Sequence, residues 1–196
     1  MQKRFFTSDQ HLGHIRIFTK SNKIRFKSFS NIDDYTEWYI DLHNQQVSEK
    51  DLVYFIGDFS FYNREKTEEL LKRINGKIHF IYGNHDRILT EGIVESTQNL
   101  KRIKYKKQNI ILCHYPLRTW YKSRQTNSIM LHGHGHGTYN PIKNSIDIGF
   151  NIYGRLVEWE EILKIVLFSN NLIDQGFKGT NYEMATKYLE EKNGSI

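Results

Sequence analysis

The sequence has little that would staple, divide or anchor a chain. Among 196 residues there is one cysteine, Cys113, so no internal disulfide can form and a reducing compartment is the default. There are only two prolines, and no linker, low-complexity segment or internal repeat breaks the chain into parts. No apolar run approaches the ~18 residues of a membrane span. The opening residues 1–9 are basic at Lys3 and Arg4 but hold no apolar stretch of signal-peptide length. The expectation is a single globular unit, cytoplasmic, with no membrane partner. Oligomeric state is left open by these absences.

What is present is more specific. Aromatic residues make up 14% of the chain, and large rings bury much area each, so a packed core is within reach despite a hydrophobic content of 38%. The net charge is +6 and the pI about 9.2, which favours anionic partners such as phosphate-bearing substrates or nucleic acid. Nine histidines stand mostly in compact clusters beside Gly or Asp. Histidine is the commonest metal ligand, and scattered surface histidines would not cluster in this way.

Short apolar runs predict strands over residues 3–8, 51–56, 77–82, 109–113, 128–132 and 145–148, with a weaker one over 100–105. Between them Ile32, Tyr35, Tyr39 and Leu42 recur at helical steps, with Asn31 as a cap. A second helix over 64–74 is capped by Asn63 and stops before Gly76. Residues 158–168 predict a third, and Tyr182, Ala185 and Leu189 a short last one. Strand–helix alternation in the first half argues for an α/β layered domain, and closely spaced strands in the second for a partly antiparallel sheet. The chemical motifs fall within residues 1–168. Residues 169–196 carry none and read as a helical C-terminal extension.

The chemistry lies just past the strands. Asp9-Gln10-His11 follows the first, Gly57-Asp58 the second and Gly83-Asn84-His85-Asp86 the third. His114 follows the strand over 109–113, and Gly133-His134-Gly135-His136 follows that over 128–132. In open α/β sheets ligands bind beyond the carboxyl ends of strands. On an extended backbone Asp9 and His11 would point the same way, as would His134 and His136, because the strand period is two. The glycines at 57, 83, 133 and 135 would let the backbone turn and come close to an ion or phosphate. Carboxylate, imidazole and amide donors suit Mn, Fe or Zn, and the lack of clustered cysteines argues against a structural zinc site.

This ordered set resembles the calcineurin-like metallophosphoesterases, over residues 9–136. The Ser8-Asp9-x-His11-x-Gly13-His14 start and the His114-Tyr115-Pro116-Leu117…Trp120 stretch are similar to a smaller group of bacterial and phage members. The resemblance implies two facing mixed β-sheets flanked by helices, with a dimetal site at one end. Asp9, His11 and His136 would hold one divalent ion; Asn84, His114 and His134 the other; Asp58 would bridge both. Manganese is the favoured metal, with Fe, Zn, Ni or Mg as options. The ions would share a hydroxide that attacks a phosphate ester. His85 would protonate the leaving oxygen and Asp86 would orient the His85 ring.

Other residues carry two readings each. His14 either reaches the substrate phosphate or braces its loop. His132 alternates with His134 and His136 and is expected to be satisfied by backbone. Cys113 is expected to be a small core hydrophobe. Arg16, Lys20, Lys23, Arg25 and Lys27, interleaved with Phe18, Phe26 and Phe29, could track a phosphate backbone, as could Lys101, Arg102, Lys104, Lys106 and Lys107. The expectation for both is a solvated lid or turn. Of Arg118, Lys122 and Arg124, Arg118 is the candidate contact to substrate phosphate. Two departures from the smaller group stand out: Asn151 replaces an Asp, and Arg155-Leu156-Val157 lacks a Pro. The basic surface slightly favours a phosphodiester substrate. The alternatives are a nuclease or cyclic-nucleotide phosphodiesterase, or a metal-stabilised binding module without turnover.

Overall fold

A computed structural model describes residues 1–14, Phe29 and 31–194. The basic–aromatic stretch from Arg16 to Lys27 lies outside the described residues.

A five-stranded sheet has the order β4-β3-β2-β1-β9. It is built from β1 (Arg4–Thr7), β2 (Leu52–Ile56), β3 (Lys77–Ile81), β4 (Ser96–Gln98) and β9 (Val157–Glu158). Neighbours are parallel from β4 to β1, and β9 runs antiparallel to β1. A four-stranded sheet has the order β5-β6-β7-β8. Its strands are β5 (Leu100–Tyr105), β6 (Gln108–Cys113), β7 (Ser128–His132) and β8 (Ser145–Asp147). Only β5–β6 is antiparallel there. Both sheets are mixed, as the resemblance implied. All seven expected strands form, and β4 and β9 are additional. The three polar residues of β4 and the two residues of β9 are too short to show a period.

Alternation sorts the core into two layers. Phe6, Tyr54, Ile56 and Ile81 of the first sheet share one cluster with Ile110, Leu112, Ile129, Leu131 and Ile146 of the second. On the other face of the first sheet, Phe5, Val53, Phe55, Ile78 and Phe80 pack with helices α1 (Ile32–Gln46) and α2 (Arg64–Arg73). Each such fully buried side chain contributes roughly 1.5–3 kcal/mol. The caps read from sequence are present: the Asn31 side chain accepts from Asp34 N at 2.8 Å, and that of Asn63 from Lys66 N at 2.9 Å.

Helix α3 (Phe150–Tyr153) is a single turn, unforeseen because four residues carry no period. Helix α4 (Trp159–Asp174) runs past the expected end at Phe168. The expected boundary between 168 and 169 therefore falls inside a continuous helix. Helix α5 (Asn181–Gly194) is longer than the short helix foreseen. Its Ala185 and Tyr188 join Trp159, Ile162, Ile165 and Val166 in the cluster between the sheets. Among the described residues no helix is long and apolar enough to cross a membrane.

His43 of α1 is fully buried, with Nε2 2.8 Å from the Asn75 carbonyl, to which it donates. Burial drives its pKa from 6.5 to about 4, against the pull of that hydrogen bond. Between these two values the unfolded chain takes up a proton that the folded chain does not, so stability falls as pH falls. The expected contribution approaches about 1.4 kcal/mol per pH unit in this window. Urea unfolding at about pH 7 and about pH 5 should show a smaller drop for His43→Leu than for the native chain. Equal drops would remove His43 from the account.

Candidate metal centre

The carboxyl ends of β1, β2, β3, β6 and β7 meet at one rim, and bonds across the seam lock their loops together. The His114 ring donates from Nδ1 to Ile56 O at 2.9 Å, which turns its Nε2 toward the centre. His134 N donates to both Asp9 oxygens, at 3.2 and 3.1 Å. Phe150 N donates to Ser8 O at 2.7 Å.

Two groups of side chains that could hold an ion result: Asp9, His11 and His136, and Asp58, His114 and His134. In the first, Asp9 Oδ1 lies 3.5 Å from His11 Nε2 and 3.8 Å from His136 Nε2. In the second, Asn84 Oδ1 lies 3.1 Å from His114 Nε2 and 2.9 Å from His134 Nδ1. Asp58 Oδ2 faces both, at 3.7 Å from His11 Nε2 and 3.4 Å from His114 Nε2. Donors about 2.0–2.2 Å from a common ion stand roughly 3–4 Å apart, so the spacing fits ions of zinc or manganese size. A further observation supports the fit. Both ring nitrogens of His11 are buried without a hydrogen-bond partner, and an ion held at Nε2, the nitrogen that faces Asp9 and Asp58, would give that one a partner.

The floor of the centre is buried and its rim open. Asp9 and Asp58 are each 1% exposed, and His11 and His114 are buried with them. The His136 and His85 side chains are 40% and 43% exposed. Burial pushes the Asp58 carboxyl up, but His114, the His85 N–H and His11 outweigh it and its pKa falls to about 2. Burial pushes His114 down, but Asp58 and Asp9 overcome that and raise it to about 8. Asp9 is lowered as well, because His11, His136 and His114 outweigh its burial.

One geometric expectation is corrected. Asp9 and His11 are not extended, and neither are His134 and His136. Their φ values are 57°, 50°, 65° and 48°, and Asp58 is also left-handed at 57°. The chain has already left the strands, and Asp9 N and His11 N reach sideways to Gly57 O and Asp58 O. Such backbone costs of order 1–3 kcal/mol per residue. Gly83 and Gly133 are required by close approach. A Cβ on Gly83 would sit 2.2 Å from Asp58 Oδ1, and one on Gly133 would sit 1.9 Å from Ser8 Oγ.

The expected role of Asp86 also changes. Its carboxylate accepts from Gly83 N and Asp58 N at 2.8 Å and from Phe59 N at 2.9 Å, and it makes no bond to the His85 ring. It ties two loops together instead. The side chain that packs on His85 is Phe61, with ring centroids 4.4 Å apart. Phe61 also stacks on His14 at 3.9 Å and on His11 at 5.1 Å. Arg118 is exposed and outside the cluster, with no hydrogen bond or ion pair among the described residues. His132 is buried, with Nδ1 3.0 Å from Gly133 O, and Cys113 is buried under Leu117 and Trp120.

Two residues support the His134–His136 loop: Asp147, which escaped the sequence reading, and Asn151, noted there only as replacing an Asp. Asp147 is fully buried and accepts from Gly137 N and Gly149 N at 2.9 and 3.1 Å. Burial raises its pKa against the pull of His132 and these donors, and Asp9 pushes it further up. The signal was an acid ending a buried strand. Asn151 donates from Nδ2 to His136 O at 3.3 Å, which an ionised Asp could not do.

Because His114 is protonated below about pH 8 in the metal-free chain, an ion must displace that proton. Affinity for Mn²⁺ should rise about tenfold per pH unit toward pH 8 and then level off. Calorimetric titration across that range checks the slope, and Asp58→Asn should weaken both sites together. A flat profile would contradict this proton inventory.

A family model for calcineurin-like phosphoesterases matches residues 3–192. The uncharacterized protein MJ1445 of Methanocaldococcus jannaschii is 29% identical over 176 residues, which cover 85% of this chain and 92% of its own. The gene 66 protein of Mycobacterium phage D29 is 25% identical over 211 residues, covering 90% of this chain and 100% of its own. Among solved structures, the protein of unknown function AQ665 from Aquifex aeolicus is similar in fold. It gives a TM-score of 0.63 at 20% identity and covers 84% of this chain and 100% of its own. The chain belongs to the calcineurin-like phosphoesterase family, and with it to the metal-dependent phosphoric ester hydrolases.

Proposed function

We propose that the chain hydrolyses a phosphodiester at two divalent ions, manganese being the favoured metal. Asp9, His11 and His136 hold one ion, Asn84, His114 and His134 the other, and Asp58 serves both. The observation that carries this reading is the position of Asp58 Oδ2, within 3.7 Å of His11 Nε2 and 3.4 Å of His114 Nε2 from the two groups. When bound, such ions supply a water deprotonated near neutral pH and positive charge for the phosphoryl oxygens.

The chain's own side chains do the rest. Imidazole and N–H partners keep Asp9 and Asp58 ionised in spite of their burial. His85 stands on the open rim, with Nε2 4.0 Å from Asp58 Oδ2, and gives its proton to the leaving oxygen. Phe61 holds the His85 ring in place, and Asp86 holds the loop that carries it. His14, stacked on Phe61 beside His11, is the candidate contact to a phosphoryl oxygen. The net charge of +6 supports a diester over a monoester, since it favours extended anionic substrates.

Stripped of metal and reloaded with Mn²⁺, the chain should hydrolyse bis-nitrophenyl phosphate faster than nitrophenyl phosphate. A faster monoester reaction would reverse the preference, and no hydrolysis of either would sink the reading. His85→Ala should retain metal but slow turnover by about 10²–10⁴-fold for alkoxide leaving groups, and far less for nitrophenolate. An equal loss on both would remove His85 as the acid.

A further inference from the structure

We propose that the outer face of the four-stranded sheet binds single-stranded nucleic acid and leads it into the metal centre. The reaction at its end rests on the phosphodiester reading above, but the binding does not.

The first observation is segregation of charge. From Ser96 to Ile146 there is no Asp or Glu, while the same segment carries nine Lys and Arg. That exceeds the +6 of the whole chain, so the remainder of the molecule is net negative. This segment builds β5, β6, β7 and the strap of residues 115–127 that covers them.

The structure then sorts these cations by face. Lys106 pairs with Glu160 and Lys143 with Asp174, and Lys101 donates to Ser96 Oγ at 3.1 Å. On β5 the register sets Arg102 opposite Ile111 and Lys104 opposite Asn109. Ile111, Cys113 and Met130 form the outer face, covered by Leu117 and Trp120 of the strap. Arg102 and Lys104 therefore project on the strap's side. The strap adds Arg118, Lys122 and Arg124. None of these five makes an ion pair among the described residues.

Charge on an edge strand also guards against edge-to-edge pairing, and that alone would explain β5. It does not explain the aromatics set among the cations. Tyr121 is 46% exposed, with the Arg102 guanidinium 4.3 Å and the Lys122 amine 5.5 Å from its ring centroid. Tyr115, 45% exposed, lies where the strap leaves β6, with its ring 4.7 Å from that of His134. An exposed ring flanked by cations offers a base a stacking platform and its phosphates a counter-charge. A duplex would keep its bases from both rings, so the surface fits single strands. The face spans the six residues of β5, on the order of 20 Å at a rise of about 3.3 Å per residue, enough for several nucleotides.

The test is fluorescence anisotropy of a labelled single-stranded oligonucleotide of about 12 residues on the full metal-free chain, so that no turnover is read. Binding at about 50 mM salt should weaken roughly 50-fold at about 200 mM if four phosphates are contacted. Arg102→Glu with Lys104→Glu should cost at least about tenfold, and Tyr121→Ala several-fold. The charge-matched pair Lys66→Glu with Lys72→Glu, on α2, should cost less than about twofold. Melting temperatures report whether the variants fold, and Arg102→Gln with Lys104→Gln reads the same loss if the reversal unfolds the chain. No binding at low salt, equal loss from the α2 pair, or binding to phosphatidylserine vesicles without oligonucleotide binding would each overturn the proposal. Because metal is absent throughout, a failed phosphoesterase assay would leave this result standing, and the reverse also holds.

Discussion

Two buried carboxylates organise this molecule. Asp9 and Asp58 are each 1% exposed, at the seam where the two sheets abut. An isolated buried anion is very costly, so it must be matched by donors and positive charge. The surroundings supply both. His134 N and His85 N donate to the two carboxylates, and imidazoles of His11, His114 and His136 crowd their free oxygens. What remains is two groups of side chains that could each hold a divalent cation.

The same demand explains the backbone. Five candidate ligands adopt left-handed conformations, which no strand-end loop would hold by itself. Asp86 clamps the β2 and β3 loops through three backbone N–H groups, and Asp147 ties the loop after β7, through Gly137 N, to the turn after β8, through Gly149 N. Neither acid needs to touch a reacting group to matter. Each converts a costly local geometry into a fixed one, and the docking of the two sheets over their shared apolar cluster brings the halves into register.

Some of this was legible in the sequence. Asn31 and Asn63 announced their helices because a cap side chain and the turn it serves are local. The candidate ligands were legible because carboxylate, amide and imidazole side chains recur after apolar runs. The support was not. Phe61 reads as an ordinary aromatic after Gly57-Asp58, and only the fold sets it against His11, His14 and His85. The basic cluster near β5 read as one solvated turn, whereas the pleat parts Lys101 from Arg102 and Lys104, and Lys106 lies in the turn beyond the strand. Arg102 and Lys104 face the strap, and Lys106 pairs with Glu160 on α4.

By itself the sequence determined which atoms are available for coordination and which short apolar runs form strands. Both follow from residue type and local pattern, which need no partner. Tertiary structure decided how those atoms converge. The Asp9–His11 and His134–His136 pairs meet through left-handed turns rather than an extended backbone, and Asp58 faces both groups from the end of β2, the central strand of its sheet. Long-range hydrogen bonds and close glycine contacts impose these geometries, joining residues more than a hundred positions apart, as between Asp9 and His134.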